Sequence, residues 1–125
     1  MGGTFRDLKC WQRAFDLSLA IYNVTRSFPK EETFGLTSQL RRAAVSVVSN
    51  IAEGKGRNSD KDLLRFLANA RGSLFELETQ IALSGKLGYI DQPQTANLLT
   101  RINETGKLIN GLIRVFDGKH AALAA

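Results

Sequence analysis

The chain has 125 residues, and its 17 Lys and Arg against 12 Asp and Glu give a formal net charge of +5. This length predicts a single domain over residues 1–125, and the composition (43% apolar, one Cys, two Pro) excludes a disordered tail, a collagen-like fibre and a disulfide scaffold. No stretch reaches the ~20 apolar residues of a membrane span, and the first residues lack the apolar core of a secretory signal. We therefore expect a cytoplasmic protein that makes no membrane contact.

The first predicted helix covers about residues 7–27, with Asp7 as its N-cap. Pro29 stops the helix, because the residue before a proline is disfavoured in the α conformation. One apolar stripe recurs at spacings of three and four: Leu8, Trp11, Phe15, Leu19 and Tyr22. A second stripe widens the apolar surface: Ala14, Leu17, Ile21, Val24 and Phe28. We therefore expect this helix to meet neighbours on two sides.

The second predicted helix covers about residues 36–53. Its apolar stripe consists of Leu36, Leu40, Ala43, Val47 and Ile51, broadened by Ala44 and Val48. The small and amide side chains of its other face are compatible with solvent or with the close approach of another helix. We expect the helix to end at Gly54-Lys55-Gly56, where glycine supplies a left-handed cap.

The third predicted helix covers about residues 59–87, and Ser59 with Asp62 resembles a capping box. Its seam follows a heptad-like spacing: Leu63, Leu67, Ala70, Leu74, Leu77, Ile81 and Ser84. On a second face, Arg71 and Glu78 interrupt apolar residues such as Phe75, which indicates a contact surface with polar specificity.

The fourth predicted helix covers about residues 92–116, with Asp91 as its N-cap. Its seam is Leu99, Ile102, Gly106, Ile109, Ile113 and Phe116. We expect the alanine-rich residues 119–125 to form a frayed tail. Because the connections are short, the four segments predict an all-α, antiparallel, up-down-up-down four-helix bundle.

Several motifs, in this order along the chain, resemble those of a known family. They are Phe5-Arg6-Asp7-Leu8-Lys9-Cys10-Trp11, Phe28-Pro29-Lys30-Glu31-Glu32, Leu36-Thr37-Ser38-Gln39-Leu40-Arg41-Arg42, Ser49-Asn50-Ile51-Ala52-Glu53-Gly54, and Ala70-Arg71-Gly72-Ser73-Leu74. Over about residues 5–116 the chain resembles the four-helix-bundle proteins encoded in intervening sequences of bacterial 23S ribosomal RNA genes, also called S23 proteins.

The resemblance implies a ring-like homo-oligomer, a pentamer, whose molecular role is not established. It also links the chain to accessory proteins of diversity-generating retroelements, which bind a reverse transcriptase and nucleic acid. The broad apolar surface of the first and third helices supports assembly, although a broad buried arc in a monomer is the alternative. The candidate interface residues are Trp11, Phe15, Arg71, Phe75 and Glu78.

The basic residues are concentrated around the second and third helices, where residues 41–65 hold six of them against three acidic ones. The candidates for binding RNA or DNA are Arg41, Arg42, Lys55, Arg57, Lys61 and Arg65. Lys and Arg contacts to phosphates give salt-sensitive binding that does not depend on sequence. A solvated loop is the alternative. No aromatic residue is interleaved with these cations, so the pattern does not indicate base stacking.

Catalysis and cofactor binding are disfavoured by the residue inventory. Cys10 and His120 are the only residues of their types. A zinc site needs about four ligands, and a Cys nucleophile needs a base that a third residue orients, so two such residues are too few for either. Gly54-Lys55-Gly56 lacks the spacing of a phosphate-binding loop. We therefore predict a non-enzymatic protein with no metal and no cofactor that binds RNA, or alternatively a protein-interaction adaptor, for example for a reverse transcriptase.

Overall fold

Four α-helices follow one another in the computed structural model, which describes residues 3–124, the side chains of 119–124 excepted. They are α1 (Lys9–Thr25), α2 (Leu36–Lys55), α3 (Asp60–Lys86) and α4 (Gln92–Ala124), with short 3₁₀ turns at Phe5–Asp7 and Lys30–Glu32. Each helix packs against its predecessor, and α4 closes the circle against α1. No strand occurs in residues 3–124. The predicted antiparallel four-helix bundle is confirmed.

The core follows the predicted stripes of the second and third helices. Every residue of the predicted α3 seam is buried, from Leu63 to Ser84. On α2, Leu40, Val47 and Ile51 are fully buried at the centre of the bundle. These two helices therefore behave as their periodicity predicts, because each has one apolar stripe that only the bundle interior can cover.

On α1 the second stripe, and not the first, faces the core. Ala14, Leu17 and Ile21 are buried, whereas Phe15 and Leu19 are 44% and 58% exposed. Helices in a bundle pack at 8–10 Å, a separation that suits small and medium side chains at the contact. Phe15, Leu19 and Tyr22 of the first stripe are directed outward, while Leu8 and Trp11 pack partly against the core.

The start of α1 and the buried stripe of α4 differ from the prediction. The N-cap of α1 is Leu8, and Asp7 lies in the preceding 3₁₀ turn, where its carboxylate accepts a hydrogen bond from the Thr4 backbone N–H at 3.0 Å. On α4, Thr105 is buried in place of Gly106 because its hydroxyl donates to the Arg101 carbonyl at 2.8 Å. A polar residue can enter the core when its hydrogen bond is satisfied in this way.

The fourth helix also continues beyond the predicted end near residue 116. It is helical to Ala124, so the expected frayed tail is wrong for the described backbone, while Ala125 and the side chain of His120 lie outside the described residues. Alanine has the highest helix propensity of any residue, and this outweighs the absence of an apolar repeat.

The contact between α2 and α3 is the most extensive contact between helices in the bundle. The hydroxyls of Ser46 and Ser73 are 2.8 Å apart, and the Asn50 amide donates to the Ser46 carbonyl at 2.8 Å. Gly54 is buried inside α2 and is not a left-handed cap; a Cβ there would lie 2.8 Å from Cβ of Phe66. The glycine thus serves close helix approach, and it brings Phe66 against the end of α2.

Candidate nucleic-acid interface

The turn between α2 and α3 holds two arginines against one aromatic ring. The guanidinium carbons of Arg57 and Arg65 lie 4.7 Å and 4.6 Å from the centre of the Phe66 ring, which is itself buried. Both distances are within the range of cation–π attraction. Phe66 therefore fixes the positions of two positive charges that arise from different elements.

Each of these arginines also has an acidic neighbour. Arg57 pairs with Glu53 at 2.8 Å and Arg65 with Asp62 at 3.6 Å, and all four side chains are 43–60% exposed. Glu53 thus pairs with the residue four positions further along its own chain. Exposed ion pairs contribute little stability, so a phosphate can displace these carboxylates at small cost.

Lys61 is exposed and Lys55 half-buried at the same turn. The Ser59 hydroxyl accepts a hydrogen bond from the Asp62 N–H at 3.1 Å and caps α3, as the sequence predicts. The N-terminal end of a helix favours anions. Four of the six predicted basic residues therefore lie together at this turn: Lys55, Arg57, Lys61 and Arg65. We call these four the turn cluster.

Arg41 and Arg42 lie elsewhere, on the outer side of α2. Arg41 lies 4.6 Å over the Tyr22 ring, and its Nε donates to the Thr25 hydroxyl at 2.9 Å. Arg42 donates to the side chain of Gln39 and approaches Glu76 at 3.7 Å. Arg41 lies 14 residues before the end of α2 at Lys55, which is about 21 Å along the helix axis. The six basic residues form two separate groups.

Two aromatic residues from outside α2 lie beside Arg41 and Arg42. Tyr22 from α1 and Phe34 from the connection before α2 line one open groove with both arginines. Sequence proximity considers only neighbours along the chain, and therefore missed this combination. The feature of the sequence that could have indicated this groove was Phe34, an aromatic residue outside the predicted apolar stripes.

The turn that carries Phe34 is fastened to the opposite connection. The Glu32 carboxylate accepts hydrogen bonds from the Leu36 N–H at 3.0 Å and from the Tyr89 hydroxyl at 2.9 Å. The backbone bond to Leu36 and then the Tyr89 bond lower the pKa of Glu32, while the same carboxylate raises the pKa of Tyr89. Phe34 therefore projects from an ordered turn.

The predicted interface residues are distributed over two faces. Trp11 and Phe15 stack at 5.0 Å on the outer side of α1. Arg71, Phe75 and Glu78 line a groove between α3 and α4, where Arg71 donates to the Asn110 amide oxygen at 3.1 Å and Phe75 is 62% exposed. Because α1 and α3 are diagonal in the bundle, the two groups are on different sides of the molecule.

Cys10 belongs to the core and has no features of a nucleophile. It is buried, and desolvation raises the pKa of its thiol, which keeps it protonated. Within the described residues, no group of three or more His, Cys, Asp or Glu is placed to hold a metal ion. The helices of that part of the chain also include none with the length and apolar character of a membrane span.

The fold and these surfaces define an all-α, up-and-down four-helix bundle with basic and aromatic groups on its exterior. Residues 6–111 match the family model described as 23S rRNA-intervening sequence protein, and the chain belongs to this family. The crystal structure of a protein of unknown function from the S23 ribosomal protein family of Bacteroides thetaiotaomicron is similar, with a TM-score of 0.76 at 21% identity, covering 84% of this chain and 98% of that one. At this identity the similarity shows the fold alone. No curated protein matches the sequence.

Proposed function

We propose that this protein is a non-enzymatic bundle that self-associates and binds RNA through backbone phosphates. The observation that carries the binding proposal is the pair of guanidinium groups held by Phe66, Arg57 on one element and Arg65 on another. Prepositioned arginines lose little side-chain entropy when they bind a phosphate, and their planar donors suit its oxygens. Lys61 adds a third charge in the first turn of α3.

Salt dependence tests the RNA proposal directly. The wild-type protein and an Arg57→Gln/Arg65→Gln variant are titrated with RNA in a filter-binding assay over a series of salt concentrations. Each lost phosphate contact lowers the slope of log K against log salt by about 0.7 to 0.9, so we expect the double variant to lose about 1.4 to 1.8.

The matched control is Arg13→Gln/Arg101→Gln, which removes the same charge from the groove between α1 and α4. If the control weakens binding as much as the turn-cluster variant, only the net charge matters and the proposed site is wrong. If the wild-type protein does not bind RNA at low salt, the RNA proposal fails.

The two exposed aromatic faces support self-association. A contact between the α1 face, with its stacked Trp11 and Phe15, and the α3–α4 face, with Phe75, joins unlike surfaces. Such heterologous contacts close into rings when the rotation between protomers permits. We propose a homo-oligomeric ring, a pentamer, in which Arg71 and Glu78 provide polar contacts around Phe75.

Light scattering measures this assembly. We expect five times the protomer mass for the wild type and a smaller particle for Phe75→Asp, because the change removes the aromatic contact and introduces a charge that the contact must desolvate. Leu87→Asp is the control, since Leu87 is also exposed but lies outside the proposed faces. A wild-type monomer at micromolar concentration would refute the assembly.

A protein-interaction adaptor is the second candidate, favoured by the 94% exposure of Phe34 beside Arg41 and Arg42, outside the faces of the proposed ring. Aromatic and arginine side chains are enriched at protein interfaces. In this case the ring docks a partner such as a reverse transcriptase. Persistence of the oligomer without any RNA binding would favour the adaptor over the RNA-binding protein.

A further inference from the structure

Phe34 is the most exposed of the large apolar side chains in the described part of the chain, at 94%. Backbone hydrogen bonds hold the turn on both sides of Phe34. The Gly35 N–H donates to the Glu32 carbonyl and the Thr33 N–H to the Lys30 carbonyl, each at 3.0 Å. The Glu32 bonds to Leu36 and Tyr89 fasten the same turn. An aromatic ring that is both exposed and preorganised offers a flat surface at low entropic cost.

The groove beside Phe34 is lined by cationic and hydroxyl side chains. It lines an open groove of about 600 Å³ with Tyr22 and Val45, the hydroxyl residues Thr33, Thr37 and Ser38, and the charged residues Arg41 and Arg42. None of the lining residues is acidic. Glu76 approaches Arg42 at 3.7 Å. The groove therefore complements an anion.

Arg41 is positioned to bind that anion. Its Nε bond to Thr25 and its place over the Tyr22 ring fix the guanidinium, which carries five N–H donors, only some of which these bonds use. A ligand that satisfies the groove needs a negative group for the arginines and a flat apolar face for Phe34. A nucleotide has both in one unit, whereas a glutamate-rich peptide supplies only the charge.

We propose that this groove, named here the Phe34 groove, binds an unpaired nucleotide, with the base stacked on Phe34 and its phosphate on Arg41 and Arg42. The inference rests on the proposed RNA binding and extends it, because it makes single-stranded RNA the preferred ligand. Duplex RNA keeps its bases stacked on each other and can reach only the phosphate contacts.

The test compares a single-stranded uridine oligomer with a blunt duplex of the same strand length. Phe34→Leu removes the aromatic ring from an exposed position and leaves the core intact. We expect it to weaken single-strand binding about 5- to 150-fold and to leave duplex binding unchanged. Phe34→Trp keeps an aromatic face and should retain the affinity, while Val115→Ala, at another exposed apolar position, should match the wild type.

Stacking is measured by the tryptophan fluorescence of the Phe34→Trp variant. The reference is the wild type, whose tryptophan fluorescence comes from Trp11 alone. Quenching by the single strand supports the groove. If Phe34→Leu binds the single strand like the wild type while Arg57→Gln/Arg65→Gln weakens it, the Phe34 groove is refuted and the RNA proposal stands. If the wild type binds neither RNA, both fail. If a glutamate-rich peptide changes the fluorescence and RNA does not, the occupant is a protein and the inference is overturned.

Discussion

Replacement of Gly54 by alanine tests how tightly α2 and α3 are packed. An alanine Cβ at this site would lie 2.8 Å from Cβ of Phe66 and 3.2 Å from Cδ1 of Leu63, and both contacts are shorter than ordinary van der Waals distances. Overpacking in a core costs about 1–3 kcal/mol. The gain in helix propensity from glycine to alanine, about 0.5–1 kcal/mol, offsets only part of it. We expect Gly54→Ala to lower the free energy of unfolding by about 1 kcal/mol, near the middle of the range of about 0–2.5 kcal/mol that the two effects leave.

Gly72→Ala is the matched control. Gly72 lies within α3, is exposed, and a Cβ there would meet nothing within 4 Å. The same chemical change should therefore stabilise the protein by about 0.5–1 kcal/mol, since only the propensity gain remains. Opposite signs at the two glycines would isolate the packing effect from the propensity effect.

Urea and thermal unfolding, followed by circular dichroism at one protein concentration, measure both variants. A change of 1 kcal/mol shifts the melting temperature by about 4 °C in a domain of this size. Equal stabilisation by Gly54→Ala and Gly72→Ala would refute the reasoning, because the seam would then have room for a methyl group beside Phe66.

Three further predictions concern the turns, the core and the ligand. Glu32→Gln should remove a pH-dependent part of the stability. Because the pKa of Glu32 is lowered in the folded protein, the stability that its carboxylate contributes is complete above the ordinary pKa of 4.5 and is lost as the pH falls through the lowered pKa. The melting temperatures of the wild type and the variant should therefore converge in acid. Cys10 should not react with a thiol reagent in the native protein and should react fully in urea; fast native labelling would contradict its burial. RNA affinity should rise with oligonucleotide length until a strand reaches both groups of basic residues, which α2 separates by about 21 Å; a flat length dependence would exclude binding across both groups.

The sequence was informative wherever a helix has one apolar stripe. The α3 seam from Leu63 to Ser84 was predicted residue by residue, and the caps at Ser59 and Asp91 form the expected bonds. Periodicity succeeds here because a single stripe has only one direction in which to be buried. On α1 two stripes compete, and periodicity predicts neighbours on two sides, as observed for α2 and α4, without indicating which stripe is more deeply buried.

The surface sites depended on tertiary placement that the sequence does not show. Arg57 and Arg65 are close in sequence, so the turn cluster was partly predictable, but the ring of Phe66 that positions them was assigned no role. Phe34 and Arg41 are brought together only when the connection before α2 folds back on the helix. Sequence proximity therefore predicted one group of basic residues where the fold forms two.

The geometry of the turn cluster follows from the packing of α2 against α3. Gly54 lets the end of α2 approach Phe66 closely, and Phe66 in turn holds both guanidinium groups. A side chain at position 54 would push Phe66 away and separate the two charges, although neither arginine is altered. Gly54→Ala should therefore also weaken RNA binding relative to Gly72→Ala, and a stable, folded Gly54→Ala variant with wild-type affinity would show that the arginines act without the ring.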